Sequence, residues 1–253
     1  DHLERHKNLK NYIKIKSKIF EAQTKKDYLY INGENQHSKF IKKIFKSKKI
    51  KSKLILIKKS NFGLLFKKIN NDYFNSQGNK ENLLFSYKIA KNLKINEKLI
   101  IKSLNNFKGL PHRQEKILST KKVLCINDSK ATSFDATLQS LSNYDKIYWI
   151  VGGLPKLGDN FNLKKIKNKI VKAYVIGKHT FYFKNRIKNK IKFLISRNIK
   201  KAVDDIYNDL KRDDGEKSTI LLSPAAASFD QFKNFEERGL YFRNIILKKF
   251  KRK

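Results

Sequence analysis

From about Lys121 onward the chain alternates short apolar runs with longer amphipathic ones, and this rhythm constrains its fold more than any other feature. The runs Val123 to Ile126, Ile147 to Val151, Ala173 to Ile176, Phe193 to Ile195 and Ile220 to Leu222 have strand length. The stretches between them, such as Ser133 to Asn143, Leu163 to Lys169, Ile199 to Lys211 and Phe232 to Phe250, have helix length. Repetition of that unit predicts an α/β fold with a mostly parallel sheet covered by helices. Ligand sites in such sheets lie at the C-terminal ends of the strands. The first hundred or so residues are less regular. Helices are expected there over Leu9 to Phe20, Ser38 to Lys48, Glu81 to Lys94 and Glu97 to Phe107, with strands at Tyr28 to Asn32 and Lys53 to Lys58. The natural boundary is Asn105 to Gly109, which divides the chain into 1–108 and 109–253.

Composition narrows the function. A chain of 253 residues with 40% hydrophobic and 32% charged positions is too apolar for a disordered tail and long enough for two modest cores. No apolar run approaches the roughly 20 residues that cross a bilayer, and Asp1 to Lys7 carries no signal-like apolar segment. The single Cys125 has no internal disulfide partner, so a reducing cytoplasm is the expected compartment and no membrane partner is expected. The formal charge of +37 invites a nucleic-acid reading, yet only eight of the 59 basic residues are Arg and the Lys are scattered throughout. Nucleic-acid readers favour clustered Arg, which forks onto phosphates and bases. The diffuse Lys, Ile and Asn excess reads instead as compositional drift at solvated positions, and a basic nucleic-acid-binding α/β protein stands as the alternative. The sequence opens on Asp and contains no Met, so a piece of a longer protein lacking its N-terminal part is expected.

In so biased a sequence the informative residues are those that resist the bias. In the helix from Leu9 to Phe20, Lys16 falls within the apolar stripe formed by Leu9, Tyr12, Ile13, Ile19 and Phe20. Such a lysine either snorkels to water or is buried with a lowered pKa, nucleophilic enough to take up carbon dioxide. His2, ahead of it, is a metal ligand or a loop ornament. The string Asn127-Asp128-Ser129-Lys130-Ala131-Thr132 sets hydroxyls, a carboxylate and backbone N–H groups at a helix start, which suits an anionic or ribose-bearing ligand, or else ordinary capping by Asp128 or Thr132. Gly152-Gly153 admits close backbone approach, with Lys156 in reach of a carboxylate or phosphate. The run from Ser223 to Asp230 is lined by tiny side chains, as for a small polar substrate or for tight packing. No Gly-x-x-x-x-Gly-Lys-Ser/Thr loop, Gly-x-Gly-x-x-Gly fingerprint or Cys/His zinc spacing occurs in these residues.

Taken together and in order, these strings resemble the Mur ligases, and within them the D-glutamate-adding branch. Asp1-His2-Leu3-Glu4-Arg5-His6, followed by Tyr12 and Lys16, is similar to the family's metal-binding His and carbamylated Lys. Asn79-Lys80-Glu81-Asn82 matches its Asn-x-x-Asn nucleotide element, although Gly78 stands where His is usual. Gly109-Leu110-Pro111-His112-Arg113 resembles the start of the family's C-terminal domain, with Arg113 at the ATP-contacting arginine. The most diagnostic strings are Asn127 to Thr132 and Ser223 to Gly239, with Ala226 where Cys is common and Leu154-Pro155 interrupting the glycine loop before Lys156.

The resemblance implies the C-terminal part of a Mur ligase central ATP-binding domain (1–108) followed by a Rossmann-like C-terminal domain (109–253), the phosphate loop lying upstream of Asp1. It implies an ATP-dependent amide ligase that joins D-glutamate to UDP-N-acetylmuramoyl-L-alanine through an acyl phosphate, in cytoplasmic peptidoglycan precursor synthesis. With that pathway come cell-wall biogenesis, cell shape and cell division. Mg2+ would be held by His2 and carbamylated Lys16. Asn79, Asn82, Arg113, Asp128 and Lys130 would face ATP, and Thr132, Lys156, Ser228, Phe229 and Phe235 would face D-glutamate. A monomer with small-molecule substrates and no specific nucleic acid is expected. Another ligase of the wider superfamily, such as a folylpolyglutamate synthase, is the nearer alternative, and the string Asp230 to Gly239 argues against it.

Overall fold

The computed structural model describes residues 6–156, 158–213 and 215–251. The chain divides into two compact units, residues 1–108 and 109–253.

In the first unit, α1 (Leu9–Ser17) starts where the Asn8 side chain accepts from the Asn11 N–H, and it tightens into a 3-10 turn at Lys18–Phe20. Strands β1 (Tyr28–Asn32) and β2 (Lys53–Ile57) pair in parallel, with α2 (Ser38–Ser47) as the crossover. Then come α3 (Gly63–Lys68), α4 (Gln77–Asn92) and α5 (Glu97–Asn105). Helix α3 lacks a sequence signal, being short and led by a glycine. Helix α4 starts four residues earlier than its apolar periodicity suggests, because Ser76 caps it by accepting from the Asn79 N–H. Two small cores result, one around Phe20, Leu29 and Ile31 and one around Ile57, Phe74, Leu83 and Leu84.

The second unit is a six-stranded sheet of β3 (Glu115–Ser119), β4 (Val123–Asn127), β5 (Ile147–Gly152), β7 (Ile170–Ile176), β8 (Phe193–Arg197) and β9 (Ser218–Leu222). Its order is β3-β4-β9-β5-β7-β8, parallel except for the edge strand β3. Side chains alternate along each strand. Trp149, Val151, Ala173 and Val175 point to one core, with Phe134 of α6 (Phe134–Asn143) and Phe183 of α7 (Thr180–Ile187). Tyr148, Ile150, Tyr174 and Ile176 point to the other, with Val203 of α8 (Ile199–Lys211) and Phe242 of α9 (Phe235–Phe250). Burial on both faces explains why these strands read as unbroken apolar runs.

Two expectations fail here. Leu163 to Lys169 is not a helix but a series of turns ending in a 3-10 turn at Lys167–Lys169. Phe161, Leu163 and Ile166 bury their side chains in the Trp149 core, and loop backbone achieves that spacing without helical bonds. The helix expected from Phe232 begins at Phe235, where the Asn234 side chain accepts from the Glu237 N–H.

Candidate functional site

The C-terminal ends of β4, β9 and β5 are neighbours in the sheet, and each delivers one of the atypical strings. Strand β4 ends at Asn127 and runs into Asp128 and Ser129, all three buried. The Asp128 carboxylate accepts from Ser140 Oγ at 2.5 Å, from Ser223 Oγ at 2.9 Å and from the Gln114 N–H at 3.2 Å. Burial pushes its carboxyl up to about 6, against the lowering pull of those bonds and of the Arg113 charge. Arg113 itself is exposed. Asp128 thus joins three parts of the chain, and the capping role considered for it falls to Ser133, whose side chain accepts from the Ala136 N–H. Thr132, the other cap considered, is exposed with its hydroxyl unbonded among the described residues.

Strand β5 ends in Gly152-Gly153 with φ values of 129° and 137°. The glycines are needed for the approach of protein backbone, since a Cβ on Gly152 would lie 2.1 Å from the Ile176 carbonyl oxygen and one on Gly153 2.5 Å from that of Ala227. Next, β6 (Leu154–Pro155) pairs antiparallel with β10 (Ala226–Ala227), which fastens the loop after β5 to the loop after β9. The inserted Leu154-Pro155 is therefore part of the architecture. Ala225 and Ala226 are core residues, so packing accounts for these alanines. Lys156 is half-buried and Tyr182 Oη donates to its carbonyl at 3.0 Å. The Lys156 ammonium helps restrain the carboxyl of Asp159, which burial raises.

Ser228 is buried beside exposed Phe229. The Phe235 ring stands edge-on to His112 and takes the Lys130 ammonium over its face, 3.6 Å from the ring centre. Arg113, Asp128, Lys130, Thr132, Lys156, Ser228, Phe229 and Phe235 thus all lie on loops or helix starts at one end of this unit's sheet.

In the first unit the picture differs. Asn79 and Asn82 share one face of α4, but the Asn79 amide donates to the Tyr73 carbonyl at 2.8 Å while Asn82 is exposed. Lys16 is exposed, its ammonium 5.7 Å from the centre of the Tyr12 ring, so the buried lysine is not found. The stripe leaves Leu9 and Ile19 exposed too, and thus builds no apolar enclosure around it. His2 lies outside the described residues. No group of three His, Cys, Asp or Glu side chains suited to a metal ion occurs among the described residues, and an unmodified lysine ammonium is no ligand for Mg2+. The donors described here do not by themselves fit a magnesium site.

Two residues of the quoted strings carry structural roles that the sequence did not assign. His112, held at φ 61°, is buried with its Nδ1 2.9 Å from the Asn127 amide, and a Cβ on Gly239 would collide with its ring. Arg238 is buried at the base of the loops. The available signal was compositional: in a chain that uses Lys almost everywhere, an Arg marks a place where the planar fork matters.

Residues 1–104 match the Mur ligase middle domain family. A UDP-N-acetylmuramoylalanine–D-glutamate ligase of Rickettsia felis is 38% identical over 97% of this chain and 58% of its own length. The Rickettsia prowazekii ligase of the same name is 38% identical over 96% of the chain and 58% of its length. This chain therefore spans rather more than half the length of the curated relatives it matches. Among solved structures, MurF of Acinetobacter baumannii superposes with a TM-score of 0.67 at 14% identity, covering 96% of this chain and 57% of that one. A folylpolyglutamate synthase/dihydrofolate synthase of Yersinia pestis, solved with AMPPNP and a Mn ion, gives 0.61 at 11% identity, covering 95% and 57%. Among the described residues no helix is long and apolar enough to cross a membrane.

Proposed function

We propose that the chain, whose residues 1–104 match the Mur ligase middle domain family, forms part of an ATP-dependent ligase adding D-glutamate to UDP-N-acetylmuramoyl-L-alanine in the cytoplasm. The observation that carries this reading is the meeting of the loops after β4, β9 and β5 at one end of the sheet, tied by Asp128, Ser223 and the β6–β10 pair. A carboxylate resists attack by an amine until one oxygen becomes a leaving group. The alanyl carboxylate attacks the γ-phosphorus of ATP and ADP departs. The D-glutamate amine then adds its lone pair to the acyl carbon, the tetrahedral adduct expels phosphate, and the nitrogen gives up a proton.

Both steps gather negative charge, so fixed cations and N–H donors stabilise them most. In this proposal Asn79, Asn82, Arg113, Asp128 and Lys130 hold the nucleotide. The buried, restrained carboxylate of Asp128 is suited to accept a hydrogen bond, and exposed Arg113 to meet a phosphate or ribose. Lys156 faces a carboxylate of D-glutamate, Thr132 and Ser228 hydrogen-bond to it, and Phe229 and Phe235 wall the amino-acid site. When bound, Mg2+ would offset phosphate charge. Its assignment to His2 and a carbamate on Lys16 rests on sequence resemblance alone. The protein is proposed to act as a monomer.

The decisive measurement is phosphate release by the full-length protein with ATP and UDP-N-acetylmuramoyl-L-alanine, with and without D-glutamate. Release that depends on D-glutamate and is not supported by L-glutamate is expected, and indifference to the amino acid refutes the reading. Loss of activity in Lys16→Ala, partly restored by short-chain carboxylates, tests the carbamate, and full activity in that variant removes it.

A further inference from the structure

Of the arginines among the described residues, only Arg238 is buried, with 1% of its surface exposed. It sits one turn into α9, and its guanidinium is aimed back at the strand ends. Nε donates to Ser129 Oγ at 2.9 Å, while Nη2 donates to the carbonyls of Ser129 at 2.7 Å and Ala226 at 3.0 Å. Ser129 Oγ in turn donates to the Phe235 carbonyl at 2.8 Å. One side chain thus clasps the loop after β4 to the loop after β9. Nη1 makes none of these bonds and lies against the third loop, 3.3 Å from where a Cβ on Gly153 would stand.

Every acceptor on Arg238 is neutral. No carboxylate forms a salt bridge with it among the described residues. Asp230, the one acid whose charge reaches it, already accepts the Lys178 N–H at 2.9 Å. Burial lowers the guanidinium to about 10. An enclosed cation with no carboxylate bonded to it is costly to retain, and a dianionic ligand at these three loops would add to the partial compensation that Asp230 gives.

We propose that Arg238 is a positioning residue of the amino-acid site, one that fixes the loops bearing Thr132, Lys156 and Ser228 and whose only partly compensated charge favours an amino acid with two carboxylates. The inference rests on the ligase reading and deepens it. The closest discriminating pair of substrates is D-glutamate and D-glutamine, alike in shape and differing by one negative charge.

The test is kcat/KM of the full-length protein for each of the two, with KM for ATP measured alongside. Arg238→Met keeps the bulk and removes the charge. It is expected to lower the D-glutamate to D-glutamine ratio at least tenfold, with KM for ATP within twofold. Ser129→Ala loosens the clasp while leaving the charge, so kcat falls and the ratio holds. An unchanged ratio in Arg238→Met, with both substrates and ATP impaired alike, would show a purely structural role and overturn the proposal. Should Arg238→Met fail to accumulate folded, Arg238→Lys decides. It keeps the cation and is expected to keep the ratio, and a tenfold collapse there sinks the charge argument. A wild-type protein that ligates neither amino acid refutes the ligase reading instead.

Discussion

The two units share one Lys-rich composition and use it differently. In the second, the central strands are buried on both faces and the polar residues beyond their ends are bonded to one another beneath the surface, as Asp128 is to Ser140 and Ser223. In the first, a two-stranded sheet supports only two small cores, and Ile19, Leu64 and Leu93 stand in water, as Phe181 and Phe229 do at the surface of the second. The first unit's candidate residues Lys16 and Asn82 are exposed as well. Drift toward Lys, Ile and Asn is tolerated wherever a position faces water. A site survives in legible form where buried bonds fix it.

Substitutions put this contrast to the test. The largest effect on stability is expected from Phe242→Ala, which empties a fully buried position under α9 and should cost about 3–5 kcal/mol. Leu99→Ala, at an exposed site in α5, should change stability by less than about 0.5 kcal/mol. Urea titrations of both variants followed by circular dichroism check the pair, and equal losses would erase the distinction between the units.

Next is the pH response of Asp128. Burial raises its carboxyl from 3.8 to about 6, so the folded state holds that proton more tightly than the unfolded state does. The resulting stabilisation is complete below about pH 4 and is lost as pH rises through about 6, a change of about 3 kcal/mol. Asp128→Asn should flatten the urea midpoint across that window relative to wild type, and parallel pH profiles for the two proteins would disprove the burial argument.

A smaller effect follows from Lys156→Ala. The lysine is half-buried, so loss of a charged hydrogen bond to D-glutamate should raise KM for that substrate by about tenfold or somewhat more. Acyl phosphate trapped with hydroxylamine should stay near the wild-type amount. Equal loss of both signals would move Lys156 to the nucleotide side. The smallest effect is that of Lys16→Ala on folding, expected within about 0.5 kcal/mol because the side chain is exposed. A larger drop in the urea midpoint would show that Lys16 is structural.

The sheet of the second unit was readable because strands buried on both faces stand out as apolar runs even against a strong lysine background. The antiparallel edge strand β3 and helix α7 went unseen. The strand Glu115–Ser119 has one wet face and mixes charge with apolar residues, while α7 is short and anchored chiefly by Phe183 and Ile187. Leu163 to Lys169 misled for the opposite reason, since Leu163 and Ile166 have helical spacing yet serve turns equally well. At the site, the strings after β4, β5 and β9 were visible by their contrast with the bias. Arg238 and His112 stood inside such strings without a role of their own, because sequence alone assigns charged residues to the surface and cannot show that Gly239 makes room for an imidazole.

The chain contains one tryptophan, Trp149, wholly enclosed in β5, and its indole N–H donates to the Ser223 carbonyl at 2.8 Å. Its emission therefore arises in an apolar, water-free setting and belongs to the second unit alone. The indole dipole is anchored to the first residue beyond β9, in the same loop that carries Ser228 and the neighbours of Arg238. Any movement of that loop shifts the local field at the chromophore, so the molecule carries its own optical probe at the base of the candidate site, needing no label.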